Sequence, residues 1–256
     1  MIKKFENLKK TYYMFQEFLE KETSKKDFSD SFGSQKGQVE FLINNVCNYE
    51  NKGLPFKKYF IDCAAGDGIT HSNTLFLERE LNWKGLLIEP NPYFHDSLKK
   101  NRVSEIIKEC IGSTDGQEVE FRIDNKLLAG IVGEQFDNNH FLREEELKTA
   151  EIINLKTRKL ETILDENNAP KIIDYLSLDV EGAEEFILSS FNFEKYKFKF
   201  MTIERPTNKL NILLDQNNYV QVKNVISETF YMHKEFISEL NHSPQVTFNL
   251  TKGKDW

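Results

Sequence analysis

The chain has 256 residues, 39% apolar and 29% charged, with a formal net charge of −7. That composition excludes a disordered chain, and no apolar run approaches the roughly 20 residues that a bilayer helix needs, so no stable membrane insertion is expected. The acidic balance lacks the broad positive field that draws proteins to phosphate backbones, and nucleic acid is not expected as a partner.

Residues 1–33 carry Phe5, Leu8, Tyr12, Phe15, Phe18 and Leu19 at helical spacing among Lys and Glu, which predicts an amphipathic N-terminal helical extension packed on the domain body. Lys3 and Lys4 follow Met1, but Glu6 and Lys9 interrupt any secretory apolar segment, and a cytoplasmic location is expected. Cys47, Cys63 and Cys110 fit neither a disulfide framework nor a zinc site and read as reduced small residues.

Residues 34–256 read as one domain. A helix at about 36–49 precedes a strand ending near Asp62, a helix at about 71–82 and a strand "GLLIEP". A helix over "FHDSLKKNR", a strand "SEIIKECIG" and a side strand "EVEFRID" follow. Residues 125–157, with Gly130, Gly133, Asn138, Asn139 and the acidic "REEELKTAE", read as an insertion or lid. The regular pattern resumes with "TRKLETILDE", the strand "IIDYLSLD", the helix "GAEEFILSSF" and the strand "FKFMTIE"; "YVQVKNV" and "VTFNLT" are candidates for an antiparallel edge. Strands alternating with helices predict an α/β fold, with a mostly parallel central sheet and helices on both faces.

In such a sheet ligands sit outside the carboxyl ends of the strands, where the strand order reverses. The run Asp62-Cys-Ala-Ala-Gly66-Asp67-Gly68 occupies that place, and its small residues let the backbone approach a ligand closely. It is not a dinucleotide fingerprint, because His71 stands where the third glycine is required, and it lacks the Lys-Ser/Thr of a P-loop. A carboxylate before the turn suits a ligand carrying an amino group and positive charge, such as S-adenosylmethionine. Glu89, ending the second strand, can accept both hydroxyls of a ribose. The alternative is that Asp62 caps the next helix and Glu89 is a solvated strand end.

Asp179 ends the fourth main strand, with Glu181 and Glu184 close behind. Carboxylates gathered at a sheet edge raise one another's pKa, which makes Asp179 and Glu181 the first candidates for orienting or deprotonating an acceptor. Glu181 alternatively favours a helix start through its charge. Glu204 ends the next strand; with Asp179 it could hold Mg²⁺, or it pairs with Arg205 or Arg158. His71, read at the start of a helix, has a suitable intrinsic pKa for a base or else decorates the first helical turn. His95, His140, His233 and His242 read as surface residues. In "FEKYKFKF" strand alternation places Phe198 and Phe200 inward and Lys197 and Lys199 outward.

The segments "DCAAGDGITHSNTLFLE", "LLIEPNPYFHDSLKKNR", "CIGSTDGQEVEF", "LAGIVG" and "IDYLSLDVEGAEEFIL" resemble, in order and spacing, the motifs of the FkbM-type methyltransferase family, and "SQKGQVEFL" resembles its opening segment. The resemblance implies a Rossmann-like class I methyltransferase fold and an S-adenosylmethionine-dependent O-methyltransferase. The implied acceptor is a small-molecule or glycan hydroxyl. It further implies that Asp62, Ala64, Gly66, Asp67 and Gly68 line the methionine side, Glu89 the ribose, and Ile111, Gly112 and Ser113 the adenine. Ala64 stands where the family usually has Gly. Two alternatives stay open: a catalytically silent binding module, and an O-methyltransferase whose acceptor is a phenol or carboxylate. "EPNPYF" is similar to the Asn-Pro-Pro-Tyr signature of amino-group methyltransferases but lacks its second proline and follows a different strand.

Overall fold

A computed structural model describes residues 34, 36–42, 58–124, 126–133, 136 and 148–239. The helix expected over 1–33, the later half of the helix at 36–49, Cys47, His140, His242, residues 137–147 of the expected lid and the strand "VTFNLT" lie outside the described residues.

In chain order the strands are β1 (Tyr59–Cys63), β2 (Lys84–Ile88), β3 (Glu105–Ile107), β4 (Cys110–Gly112), β5 (Glu118–Arg122), β6 (Gly130–Ile131), β7 (Ile152–Lys159), β8 (Ile172–Leu178), β9 (Lys197–Glu204), β10 (Tyr219–Val225) and β11 (Glu228–His233). The α-helices are α1 (Gln38–Phe41), α2 (Leu75–Arg79), α3 (His95–Asn101), α4 (Leu160–Glu166), α5 (Glu184–Leu188) and α6 (Asn208–Gln216). Among the described residues, one sheet runs β10-β11-β9-β8-β1-β2-β3. Its members from β9 to β3 are parallel, while β11 pairs antiparallel with both β9 and β10. The chain moves from β1 outward through β2 to β3 and returns to the other side of β1 as β8. The order therefore reverses between β1 and β8, the place where an open α/β sheet leaves a crevice at its carboxyl edge.

The protein is thus α/β with a mostly parallel central sheet, and the pleat decides what each face carries. Ile61, Leu176, Met201 and Tyr231 succeed one another across adjacent strands and join one core with α4, α5 and α6 through Leu164, Ile187 and Leu210. Phe60, Tyr175, Phe200 and Met232 form the next row and face the opposite core, with Leu77 of α2 and Leu98 of α3. Strands covered on both faces need apolar residues on both rows, and Phe60–Ile61 of β1, Leu86–Ile88 of β2, Tyr175–Leu176 of β8 and Phe230–Met232 of β11 supply them to the two cores in turn.

Four details differ from the expectations. The segment "SEIIKECIG" is two strands: β3 continues the main sheet, whereas β4 pairs with β7 in a second sheet of order β4-β7-β5-β6. Of the segment read as a lid, Gly130–Ile131 and residues 152–157 belong to that second sheet. The helix expected at 71–82 is Leu75–Arg79 only, preceded by a turn. The antiparallel partner of β9 is β11, which periodicity did not mark, since all six of its residues are buried and none alternates. Helix ends follow local chemistry: Thr207 caps α6 by accepting from Leu210 N–H at 3.1 Å, and Asn168 and Asn218 adopt the left-handed conformation just past α4 and α6.

Candidate active site

The turn after β1 is tied to the tip of β2. Ala64 N–H donates to Ile88 O at 2.9 Å, and Gly66 N–H donates to Glu89 Oε2 at 2.7 Å. Glu89 Oε1 accepts from Asn91 N–H at 2.8 Å, and Asn91 in turn accepts from Tyr93 N–H and donates to Ile123 O. "EPNPYF" is therefore a turn that aims Glu89. Burial pushes the Glu89 carboxyl up to about 7, against the two backbone N–H groups that favour its charged form.

Glu89 stands in the wall of a cleft open to solvent. Ala64, Gly66 and Pro90 line one side; Phe94, Ile111 and Phe121 are apolar walls; Lys126 and Leu127 lie at the β5–β6 connection; Val180 and Ala183 come from the turn after β8. A mostly apolar cleft with a single convergent carboxylate has the character of a small-molecule site. A Cβ on Gly66 would lie 2.8 Å from Leu127 Cδ2, so glycine keeps this wall open. Ala64 holds φ 65°, a left-handed value that costs an L-residue about 1–2 kcal/mol and that glycine adopts freely.

A second group of side chains gathers beside the cleft. Leu178 pairs with Ile203, and Glu204 pairs with Glu228, so Asp179, Glu204 and Glu228 succeed one another at the tips of β8, β9 and β11. Asp179, Glu181 and Glu204 each present a carboxylate oxygen, all within 4.8 Å of one another. Asp179 is pushed well above the ordinary carboxylate range, by burial first and then by the charges of Glu204, Glu228, Glu181 and Glu184. Burial and Glu204 raise Glu181 and Glu228 to about 7 each. Glu204 is buried, its Oε1 lies 3.5 Å from Arg205 Nη2, and its Oε2 meets no hydrogen-bond donor among the described residues. Arg158 pairs elsewhere, with Glu109, Asp115 and Glu166. Three oxygens are fewer than Mg²⁺ takes, and a hard cation here would need more from water or substrate.

The turn carrying Glu181 is strained and fastened. Glu181 has φ 57° and Gly182 φ 103°, and a Cβ on Gly182 would lie 2.2 Å from Phe136 O. Glu184 Oε1 accepts from Val180 N–H at 3.1 Å and Gly182 N–H at 3.3 Å. This closure accounts for the Asp-Val-Glu-Gly-Ala-Glu run.

Of the residues expected at a cofactor, Ala64, Gly66, Glu89 and Ile111 line the cleft, and five sit elsewhere. Asp62 faces away with Ser177 and Thr202; it accepts from Thr74 Oγ1 and is pushed up by burial against the charge of Arg102. Asp67 is consumed by its own turn, accepting from Ile69 N–H, Thr70 N–H and Thr70 Oγ1. Gly68 and Gly112 make room for neighbours: a Cβ would meet Arg102 Cγ at 2.6 Å in the first case and Phe186 Cε1 at 2.8 Å in the second. Ser113 is half-buried and outside the cleft wall. His71 does not start a helix; it sits at φ 56° in the turn ahead of α2, half-buried, its pKa lowered by burial. His95 and His233 are not mere surface residues: His95 Nε2 lies 2.9 Å from Glu89 O, and His233 is buried against Tyr219.

Three participants escaped sequence reasoning. Glu228 lies on the strand that periodicity missed. Gln38, from "SQKGQVEFL", is buried and hydrogen-bonds the Glu228 carboxyl. Arg102 is fully buried, ion-paired with Glu78 at 2.9 Å, and donates to Gly68 O, Ser72 Oγ and Thr74 Oγ1, locking the glycine turn from behind.

Residues 62–241 match the family model described as the methyltransferase FkbM domain. No curated protein matches the chain. Among solved structures, similarity is found to a methyltransferase FkbM from Methylobacillus flagellatus KT, with 13% identity, TM-score 0.41, 71% of this chain and 45% of that one covered. The METTL16 MTase domain gives 10% identity and TM-score 0.39 over 73% and 63% of the two chains. A precorrin-6y C5,15-methyltransferase from Geobacter metallireducens GS-15 gives 13% identity and TM-score 0.36 over 77% and 86%. The chain thus spans less than half of the first structure and under two thirds of the second.

Proposed function

Since the chain belongs to the FkbM methyltransferase family, we propose that it transfers a methyl group from S-adenosylmethionine to an oxygen, with a hydroxyl of a small molecule or glycan as acceptor. The observation that carries the cofactor assignment is the placement of Glu89. Its carboxylate is pinned by Gly66 and Asn91 N–H groups in the wall of a cleft that is otherwise mainly apolar. A carboxyl at a strand tip, acceptor-only when ionised, suits a ribose diol, and the apolar walls at Phe94, Ile111 and Phe121 suit an adenine ring.

S-adenosylmethionine supplies a methyl group already activated on a sulfonium, so the protein's tasks are alignment and proton removal. Val180 and Asp179 are consecutive, and so the cleft wall and the carboxylate row meet at one turn. Carboxyls titrating near neutrality, Glu181 foremost, are matched to accept a hydroxyl proton there. The strained φ of Glu181, fastened by Glu184, fixes the direction of that side chain.

Calorimetric titration with S-adenosylmethionine is the test. Binding to the intact chain, weakened at least tenfold in Glu89→Ala, is the expected result. An absence of heat with the intact, folded chain removes the cofactor assignment. Transfer of a labelled methyl group to a panel of sugars then reports the acceptor.

A further inference from the structure

The carboxylate row holds more acid than one proton transfer requires. Asp179, Glu181, Glu204 and Glu228 converge from β8, β9 and β11; among the described residues Arg205 acts on Glu181, Glu204 and Glu228, and Lys36 on Glu228, as positive groups. A separate observation singles out Glu204: it is only 9% exposed, and its Oε2 is buried with no hydrogen-bond donor among the described residues. Leaving a carboxylate oxygen buried and undonated is costly, and an N–H from a ligand removes that cost. Arg205 already sits 3.5 Å from Oε1, so the missing element is a further donor, not a doubly charged ion placed against a guanidinium. The carboxylate oxygens of Asp179, Glu181 and Glu204, within 4.8 Å of one another, can be bridged by one ammonium nitrogen, whose hydrogen bonds of about 2.9 Å diverge tetrahedrally, and Glu228 pairs with Glu204 from the neighbouring strand.

We infer that the acceptor carries a protonated amine near its reacting hydroxyl, and that Glu204 and Asp179 hold that ammonium, with Glu228 adding negative charge from the neighbouring strand. This rests on the methyltransferase reading above and deepens it. The ammonium turns the acceptor so that its hydroxyl lies toward Glu181 and the cleft.

The test uses the full chain with S-adenosylhomocysteine present and compares glucosamine and 2-aminoethanol with their N-acetyl derivatives by calorimetry. The expected result is at least tenfold tighter binding of an amine than of its neutral derivative, with Glu204→Gln and Asp179→Asn each erasing most of that preference. Equal affinity for charged and neutral forms, or no binding of either amine, overturns the inference. So does uptake of Mg²⁺ by the same carboxylates with no preference for amines. The amine preference is read on the wild-type chain, so it stays measurable even if Glu204→Gln misfolds. Binding of S-adenosylmethionine, measured in the same preparation, reports separately on the methyltransferase reading.

Discussion

Glu184 closes the turn that presents Glu181: its Oε1 receives the N–H groups of both Val180 and Gly182. Burial pushes Glu184 up to about 8, so near neutrality it is largely a neutral acid. Glu184→Gln keeps a carbonyl acceptor of the same shape and is expected to cost under about 1 kcal/mol. Glu184→Ala leaves two N–H groups without this acceptor and is expected to cost about 2–4 kcal/mol and most of the activity. Urea denaturation of both variants checks the contrast; equal losses would refute the closure.

Gly182→Ala is expected to be worse than a typical loop substitution. The added Cβ would lie 2.2 Å from the Phe136 carbonyl oxygen, a backbone atom that cannot rotate away, at a φ of 103°. A loss of about 3 kcal/mol or more follows from the clash and the strained backbone together. A thermal melt within about a degree of the parent would contradict this packing.

Ala64→Gly relieves a left-handed residue worth about 1–2 kcal/mol, offset by about 0.5–1 kcal/mol of chain entropy. Stability is therefore expected to hold or rise slightly. Ala64→Val, which places a β-branched side chain at φ 65°, is expected to lose more than about 2 kcal/mol. Paired melting curves measure both.

Arg102 pairs with Glu78 and lies beside Asp62, and all three side chains are buried. Arg102→Ala strands two carboxylates and is expected to cost about 3–5 kcal/mol. Arg102→Lys rescues little, because an ammonium lacks the planar fork that reaches Glu78, Gly68 and Thr74 together. A lysine variant as stable as the parent would show that charge alone suffices.

Stability should fall as pH rises. In the folded chain Glu89 titrates at about 7, against an ordinary value of 4.5, so between those values the folded state binds more protons than the unfolded one. The contribution is complete below pH 4.5 and is lost as pH climbs through 7, about 3 kcal/mol for a shift of this size. Glu181 and Glu228, at about 7, act in the same direction. Denaturant midpoints between about pH 5 and 8 measure the slope, and Glu89→Gln should flatten it; an unchanged slope in that variant would exclude Glu89 as a source.

The alternation of strands and helices, the small-residue turn after β1 and the acid ending β2 were all legible in the sequence, because they are set by neighbours a few positions apart. So was the Asp-Val-Glu-Gly-Ala-Glu turn, whose closing bonds stay within a few residues of one another. What the sequence left undetermined depends on which face of a strand looks where. Asp62 and Cys63 are adjacent, yet the pleat sends Asp62 to the Arg102 side and Cys63 to the opposite core. Only the assembled sheet decides that. The carboxylate row is also tertiary: Glu228 reaches Glu204 because β11 inserts antiparallel beside β9, and a strand buried on both faces carries no alternation to announce it. Local chemistry specified the turns; long-range pairing of strands decided which side chains share one pocket.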